Sequence, residues 1–169
     1  MTYFKHKYDK DGSCSTMGET AEESFDKSML SLGFLTEPTG FKDQVRHIDF
    51  FVKGDFSVDV KSMKRLERGG DLQENYVWVE FQSTNGSKGW LYGDCSHIAF
   101  ELEKKFVLVG REELALLCET IVNDEYVKKP KDAHLFKYQR AGRKDIISLV
   151  PMHTILTELP CLIIKKHSF

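Results

Sequence analysis

Residues 45–62 read VRHIDFFVKGDFSVDVKS, two runs of alternating apolar and polar residues on either side of Lys53-Gly54-Asp55. Alternation with a period of two is the signature of a β-strand, and a short link centred on glycine joins two such strands as a hairpin. In the first run Ile48, Phe50 and Val52 fall on one face, and His47, Asp49 and Phe51 on the other. In the second, Phe56, Val58 and Val60 share a face opposite Ser57, Asp59 and Lys61. A hairpin symmetric about Gly54 sets Val52 against Phe56, Asp49 against Asp59 and His47 against Lys61. Directly opposed Cβ atoms lie about 4.5–5.5 Å apart, and like charges at that spacing destabilise a sheet. A cation between the two carboxylates removes the penalty, and carboxylate oxygen is the ligand that Mg²⁺ takes. The competing reading is a polar strand face turned to water.

The rest of the chain surrounds this hairpin with ordinary globular sequence. Its 169 residues suit one domain with a sizeable core. Residues 1–15 read as a flexible polar tail and 16–169 as a single domain. The segment ETAEESFDKSMLSLGF predicts a helix over 20–32, with Ala21, Phe25, Met29 and Leu32 as its apolar stripe and Gly33 as its stop. Thr20 with Glu23, or Thr16 with Glu19, forms a capping box. Strands are expected at 45–52, 56–62, 76–82, 89–92, 96–101 and 106–109. A second helix is expected over 111–122, with a strand pair or a strand with a basic turn in KYQRAGRKDIISLV. A last helix should lie between Pro151 and Pro160. The order predicts an α/β domain whose mixed central sheet is flanked by helices.

Composition narrows the function classes. A net charge of −2 argues mildly against a general nucleic-acid binder, although local patches can override it. Cys14, Cys95, Cys118 and Cys161 are widely spaced, which disfavours a zinc site or a disulfide framework. No apolar run approaches membrane-spanning length, so the expectation is a soluble, cytoplasmic protein without a membrane partner.

Asp49, then nine residues, then Asp59-Val60-Lys61, resembles the signature of the PD-(D/E)XK nuclease superfamily, with Ile48 where the family's proline stands. GETAEESFDKSMLSLGF is similar to the first helix of archaeal-type Holliday-junction resolvases, whose motif glutamate falls on Glu22. In overall style the chain also resembles small phage nucleases, which would put it in a host cytoplasm. The resemblance covers about residues 18–65. It implies a restriction-endonuclease-like core and a Mg²⁺-dependent endonuclease, with Mn²⁺ as substitute, acting on DNA as a homodimer. Asp49, Asp59, the Val60 carbonyl and Glu22 would hold the metal. Lys61 would orient or help deprotonate the attacking water and stabilise developing charge. The alternative is a nucleic-acid-binding module of the same fold without catalysis. A third class is a small ligand-binding or structural protein in which the motif is coincidental.

Further residues are candidates for the border of such a site. Glu80 and Gln82 lie on one face of YVWVEFQS and would border the site if that strand lies beside 56–62; His47 would stand on the hairpin itself. Lys64, Arg65 and Arg68 follow the motif, and Lys137, Arg140, Arg143 and Lys144 cluster around Tyr138. Both groups suit phosphate contact, with a solvated basic surface as the alternative.

Overall fold

The computed structural model describes residues 12–53, 56–67 and 69–167. Helix α1 (Ser13–Ser31) leads to strand β1 (Thr36–Pro38), a single helical turn α2 (Phe41–Gln44), and strands β2 (Phe50–Val52) and β3 (Phe56–Lys61). The short strands β4 (Lys64–Arg65) and β5 (Leu72–Gln73) precede β6 (Tyr76–Gln82) and a 3-10 turn at Trp90–Tyr92. Then come β7 (His97–Glu101), β8 (Lys105–Gly110), α3 (Arg111–Ile121) and β9 (Asn123–Val127). A second 3-10 turn at Pro130–Asp132, β10 (Phe136–Tyr138), β11 (Ile146–Pro151), α4 (Met152–Glu158) and β12 (Cys161–Lys165) follow.

These elements make one mixed α/β domain. A six-stranded sheet has the order β1-β2-β3-β7-β8-β12, and a four-stranded sheet the order β6-β11-β10-β9. β4 and β5 pair separately as a ribbon. Within the large sheet β3 and β7 run parallel and every other neighbouring pair is antiparallel. Two cores follow from the alternation of its strands. On one face α1 lays Ala21, Phe25 and Met29 against Phe50, Val52, Val58, Val60, Ala99, Phe106 and Leu108. On the other, Ile98, Phe100, Val107 and Val109 meet Val79 and Val150 of the small sheet, with Leu114 and Cys118 of α3 and Met152 and Ile155 of α4. β3 and β7 are thus covered on both faces, which suits a parallel pair.

Over Phe50–Val52 the hairpin register is the expected one: Val52 opposes Phe56, Phe51 opposes Ser57 and Phe50 opposes Val58. The expected pairings of Asp49 with Asp59 and of His47 with Lys61 are not part of the ladder, because β2 begins at Phe50. Of its turn, residues 54 and 55 lie outside the described residues, as do residues 1–11 of the expected tail and Arg68.

Several expectations are corrected. α1 starts at Ser13, so residues 13–15 belong to the helix and not to the tail. Neither capping box forms, because Thr16 and Thr20 turn their hydroxyls back to the carbonyls of Gly12 and Thr16 inside the helix. Gly33 does end the helix, at φ 84°, with Phe34 N–H donating to the Met29 carbonyl. The stripe stops with it, and Leu32 is 56% exposed. The strand expected over 45–52 is only Phe50–Val52, since 41–44 coil into a helical turn and His47 adopts φ 59°. That kink sends Ile48 into the core between the sheets, away from Phe50 and Val52. Residues 90–92 are 3-10, not strand, and one side of the large sheet carries a second sheet where only helices were expected.

Candidate functional site

At Asp49 strand β2 ends and the ladder along β3 loses its partner. The Asp49 N–H donates to the Val58 carbonyl at 2.8 Å, and its carbonyl accepts the Thr39 N–H at 3.0 Å. Thr39 Oγ1 donates to the Ile48 carbonyl at 2.5 Å. Beyond that point Val60 N–H would be an orphan, and Asp49 Oδ2 accepts it at 2.7 Å. The strand end therefore fixes the Asp49 carboxyl alongside the last turn of β3 and next to Asp59.

Asp59 and Lys61 project from β3 on the side opposite α1. Asp59 is 2% exposed, and Lys61 Nζ stands 2.6 Å from its Oδ1. Its second oxygen, Oδ2, is buried without a hydrogen-bond partner. His47 Nδ1 is 3.9 Å from that oxygen. The Asp49 carboxyl lies close enough to Asp59 for the two acidic groups to act on each other.

The charges respond to this crowding. Burial, and then the Asp59 charge, push Asp49 up to about 7. Burial, and then Asp49, push Glu22 up to about 7. Asp59 itself is raised by burial against the opposing pull of Lys61. Burial works against the Lys61 ammonium, but Asp59 and Asp49 outweigh it and hold its proton more tightly than usual. Burial and Lys61 drive His47 down to about 4, leaving it neutral at pH 7.

The structure thus brings Glu22, His47, Asp49, Asp59 and Lys61 into one electrostatic cluster. Glu22 comes from α1, half-buried beside the Ala21–Phe25 stripe. Glu80 joins from across the layers. β6 does not lie beside β3, whose neighbours are β2 and β7, yet the Glu80 and Lys61 charges act on each other. Glu80 is raised by burial, opposed by Lys61 and by the backbone N–H of Trp90. Gln82 does not join; its amide donates to the Lys144 carbonyl.

The alternation pattern gave no sign of two further neighbours. The Trp90 ring lies over Lys61 Nζ at 5.1 Å from its centroid, and packs edge-on against Phe100. Trp90 reaches that position because Gly89 crosses β6 closely: a Cβ there would stand 2.0 Å from the Glu80 carbonyl oxygen. Gly89 and Trp90 in NGSKGW were the available signal. Cys95 is buried near Asp59, its thiol pushed up to about 12, so it is inert.

The expected basic contacts divide. Arg65 is exposed and Lys64 half-buried on the β4–β5 ribbon. Arg140 pairs with the fully buried Asp145, and Lys137 Nζ sits 2.6 Å from Asp124 Oδ1. Arg143 and Lys144 complete the turn between β10 and β11. Among the described residues no three His, Cys, Asp or Glu side chains stand ready as a metal cage, and no helix is long and apolar enough to cross a membrane. Comparison with protein-family models, curated proteins and solved structures finds no match for this chain.

Proposed function

We propose that the chain is a Mg²⁺-dependent nuclease that hydrolyses phosphodiester bonds of DNA, with resolvase-like or restriction-like action. The observation that carries this reading is Asp59: a carboxylate 2% exposed, near a second carboxyl, with one oxygen lacking a hydrogen-bond partner. A buried acceptor left in that condition costs stability, and a pair of like carboxyls adds to the cost. A hard divalent cation relieves both, and the donor set fits one: Asp49, Asp59, the Val60 carbonyl and Glu22 offer only oxygen. When bound, such an ion polarises the phosphoryl oxygen and supplies a water nucleophile at neutral pH.

The chain's own residues have separable tasks. Asp49 is tied to β3 through Val60 N–H and keeps its carboxyl beside Asp59. Lys61, with its proton held tightly, serves as a fixed positive charge for the developing phosphate oxyanion and not as a proton acceptor. Trp90 covers Lys61 and excludes water from one side of it. His47, neutral at pH 7, borders the site without adding charge.

A second reading is favoured by the direct Lys61–Asp59 pair at 2.6 Å: a nucleic-acid-binding module in which Lys61 replaces the cation and no cleavage occurs. Incubation with labelled duplex, single-stranded and four-way-junction DNA in Mg²⁺, Mn²⁺ or chelator separates the two. The nuclease reading expects cation-dependent cutting that disappears with chelator and in Asp59→Asn. Absence of cutting on every substrate and with both cations would remove it.

A further inference from the structure

Trp78 and Tyr138 belong to neither buried core. Val77, Val79 and Phe81 turn the other face of β6 into the space between the sheets, so Trp78 and Glu80 share the opposite face. The two rings lie 6.4 Å apart between centroids, inclined at 43°. Trp78 Nε1 donates to the Arg65 carbonyl at 3.0 Å, which pins the indole at the start of the β4–β5 ribbon. Both side chains remain partly exposed, and Arg65 is exposed beside them. On the other flank Arg140 follows Tyr138 by two residues, held by Asp145 and close enough for its charge to act on Glu80. Glu80 lies two residues along β6 from Trp78, about 7 Å at the rise of a strand. The Lys61 charge acts on Glu80 as well. A continuous strip therefore runs from the aromatic pair, between two arginines, to the carboxylate–lysine cluster.

We propose that Trp78 and Tyr138 form a stacking platform for an unpaired nucleobase of a DNA strand whose backbone passes Arg65 and Arg140 toward Lys61. It rests on the nuclease reading above and narrows its substrate to DNA with a single-stranded segment, such as a flap, gap or open junction. A base offers its flat face to a protein ring only when it is unstacked, and base–aromatic stacking is tolerant of sequence. The rings lie opposite the buried Leu149 and Ile147 and so cover that face of the small sheet, yet both stay partly exposed and flank cations at the edge of a charged site.

The test is binding of labelled blunt duplex, the same duplex with a short single-stranded tail, and a single strand, followed by anisotropy in Ca²⁺. The tail should raise the parent's affinity on the order of tenfold, the effect of about one stacked base. Trp78→Ala and Tyr138→Ala should lose that gain, and Trp78→Phe, which keeps a ring without the N–H, should retain most of it. Blunt-duplex affinity should change by less than about twofold, because phosphate contacts carry it. Melting curves accompany each variant; if Trp78→Ala does not fold, Tyr138→Ala and Trp78→Phe decide. Equal affinity of the parent for tailed and blunt DNA, no binding to either, or a Trp78→Phe loss as large as that of an alanine variant overturns the proposal. Cleavage in Mg²⁺ is read separately. A parent that prefers tailed DNA but cuts nothing removes the nuclease and leaves the platform. A parent that cuts without preferring the tail does the reverse.

Discussion

Two buried aspartates in this molecule have opposite fates. Asp145 is fully buried, and Arg140 satisfies it completely: the backbone N–H donates to Oδ1 at 3.2 Å, and the guanidinium donates to Oδ2. Asp59 is just as deeply placed, yet it shares its surroundings with the Asp49 carboxyl and leaves Oδ2 without a donor. Asp145 lies in the turn between β10 and β11, and its pair with Arg140 ties that turn shut. Asp59 lies where β2 leaves the sheet, so the local backbone supplies no donor except to Asp49. Asp145 has both oxygens satisfied and is structure. Asp59 has its cation, Lys61, on Oδ1 alone, with a like carboxyl beside it, and its unpartnered Oδ2 is suited to receive a second cation from outside.

The strongest way to sharpen that contrast is Lys61→Ala. Loss of one fixed charge at the transition state should cut single-turnover cleavage on the order of 10²-fold or more, with DNA affinity changing far less. Equal cleavage by variant and parent would show that Lys61 matters only as the partner of Asp59.

Next comes Asp145→Ala, which strands Arg140 and the backbone N–H it satisfied. The expected loss is about 2 kcal/mol in urea unfolding. That is below the range for a fully buried pair, because the Arg140 side chain is 38% exposed. The loss should be the same with and without Mg²⁺. A metal-dependent loss would break the division between the two aspartates.

The smallest effect is a pH dependence. Asp49 and Glu22 sit at about 7 when folded, against ordinary carboxyl values of 3.8 and 4.5. Across that window the folded chain holds protons that the unfolded chain has released, so both groups make stability fall as pH rises. His47, at about 4 when folded against 6.5, acts in the opposite direction below pH 6.5. Asp49→Asn keeps an acceptor for Val60 N–H and removes one titration. Its stability relative to the parent should therefore climb from pH 5 to pH 8, by on the order of 1–2 kcal/mol, since one pKa unit is about 1.4 kcal/mol. Melting curves across that range check it, and a flat difference would mean that Asp49 is charged in the folded state without penalty.

The contrast also shows what sequence pattern can carry. The hairpin register was legible because a side-chain period of two, with a glycine at the pivot, leaves one symmetric pairing. The α1 stripe and the α3 helix were legible for the same reason at helical period. Asp49 does come near Asp59, but not through the expected ladder pairing, which stops at Phe50 and Val58. His47 in the left-handed region and the turn at Phe41–Gln44 delay the start of β2 to Phe50, and the alternation of 45–52 is blind to a bend. Glu80 was a candidate on the assumption that β6 lay beside β3. Its charge acts on Lys61 from a strand of the other sheet, a relation that no local pattern encodes. Trp90 was hidden because NGSKGW reads as a turn, and only the close passage of Gly89 over β6 brings the indole onto Lys61. The strand β12 escaped because CLIIK is a short apolar run without alternation, indistinguishable by pattern from the end of a helix.

Thermal melting with and without Mg²⁺ at pH 8, for the parent and for Asp59→Asn, tests the central claim most directly. At that pH the carboxyls near 7 are largely charged, so the need for a cation is greatest. The parent should melt higher when Mg²⁺ is added. Asp59→Asn should melt at or above the parent in chelator, because one of two opposed anions is gone, and should gain nothing from Mg²⁺. An identical Mg²⁺ response in both proteins, or a parent that ignores Mg²⁺ while Asp59→Asn melts well below it in chelator, would make Asp59 a second Asp145: a structural anion already satisfied by its own lysine.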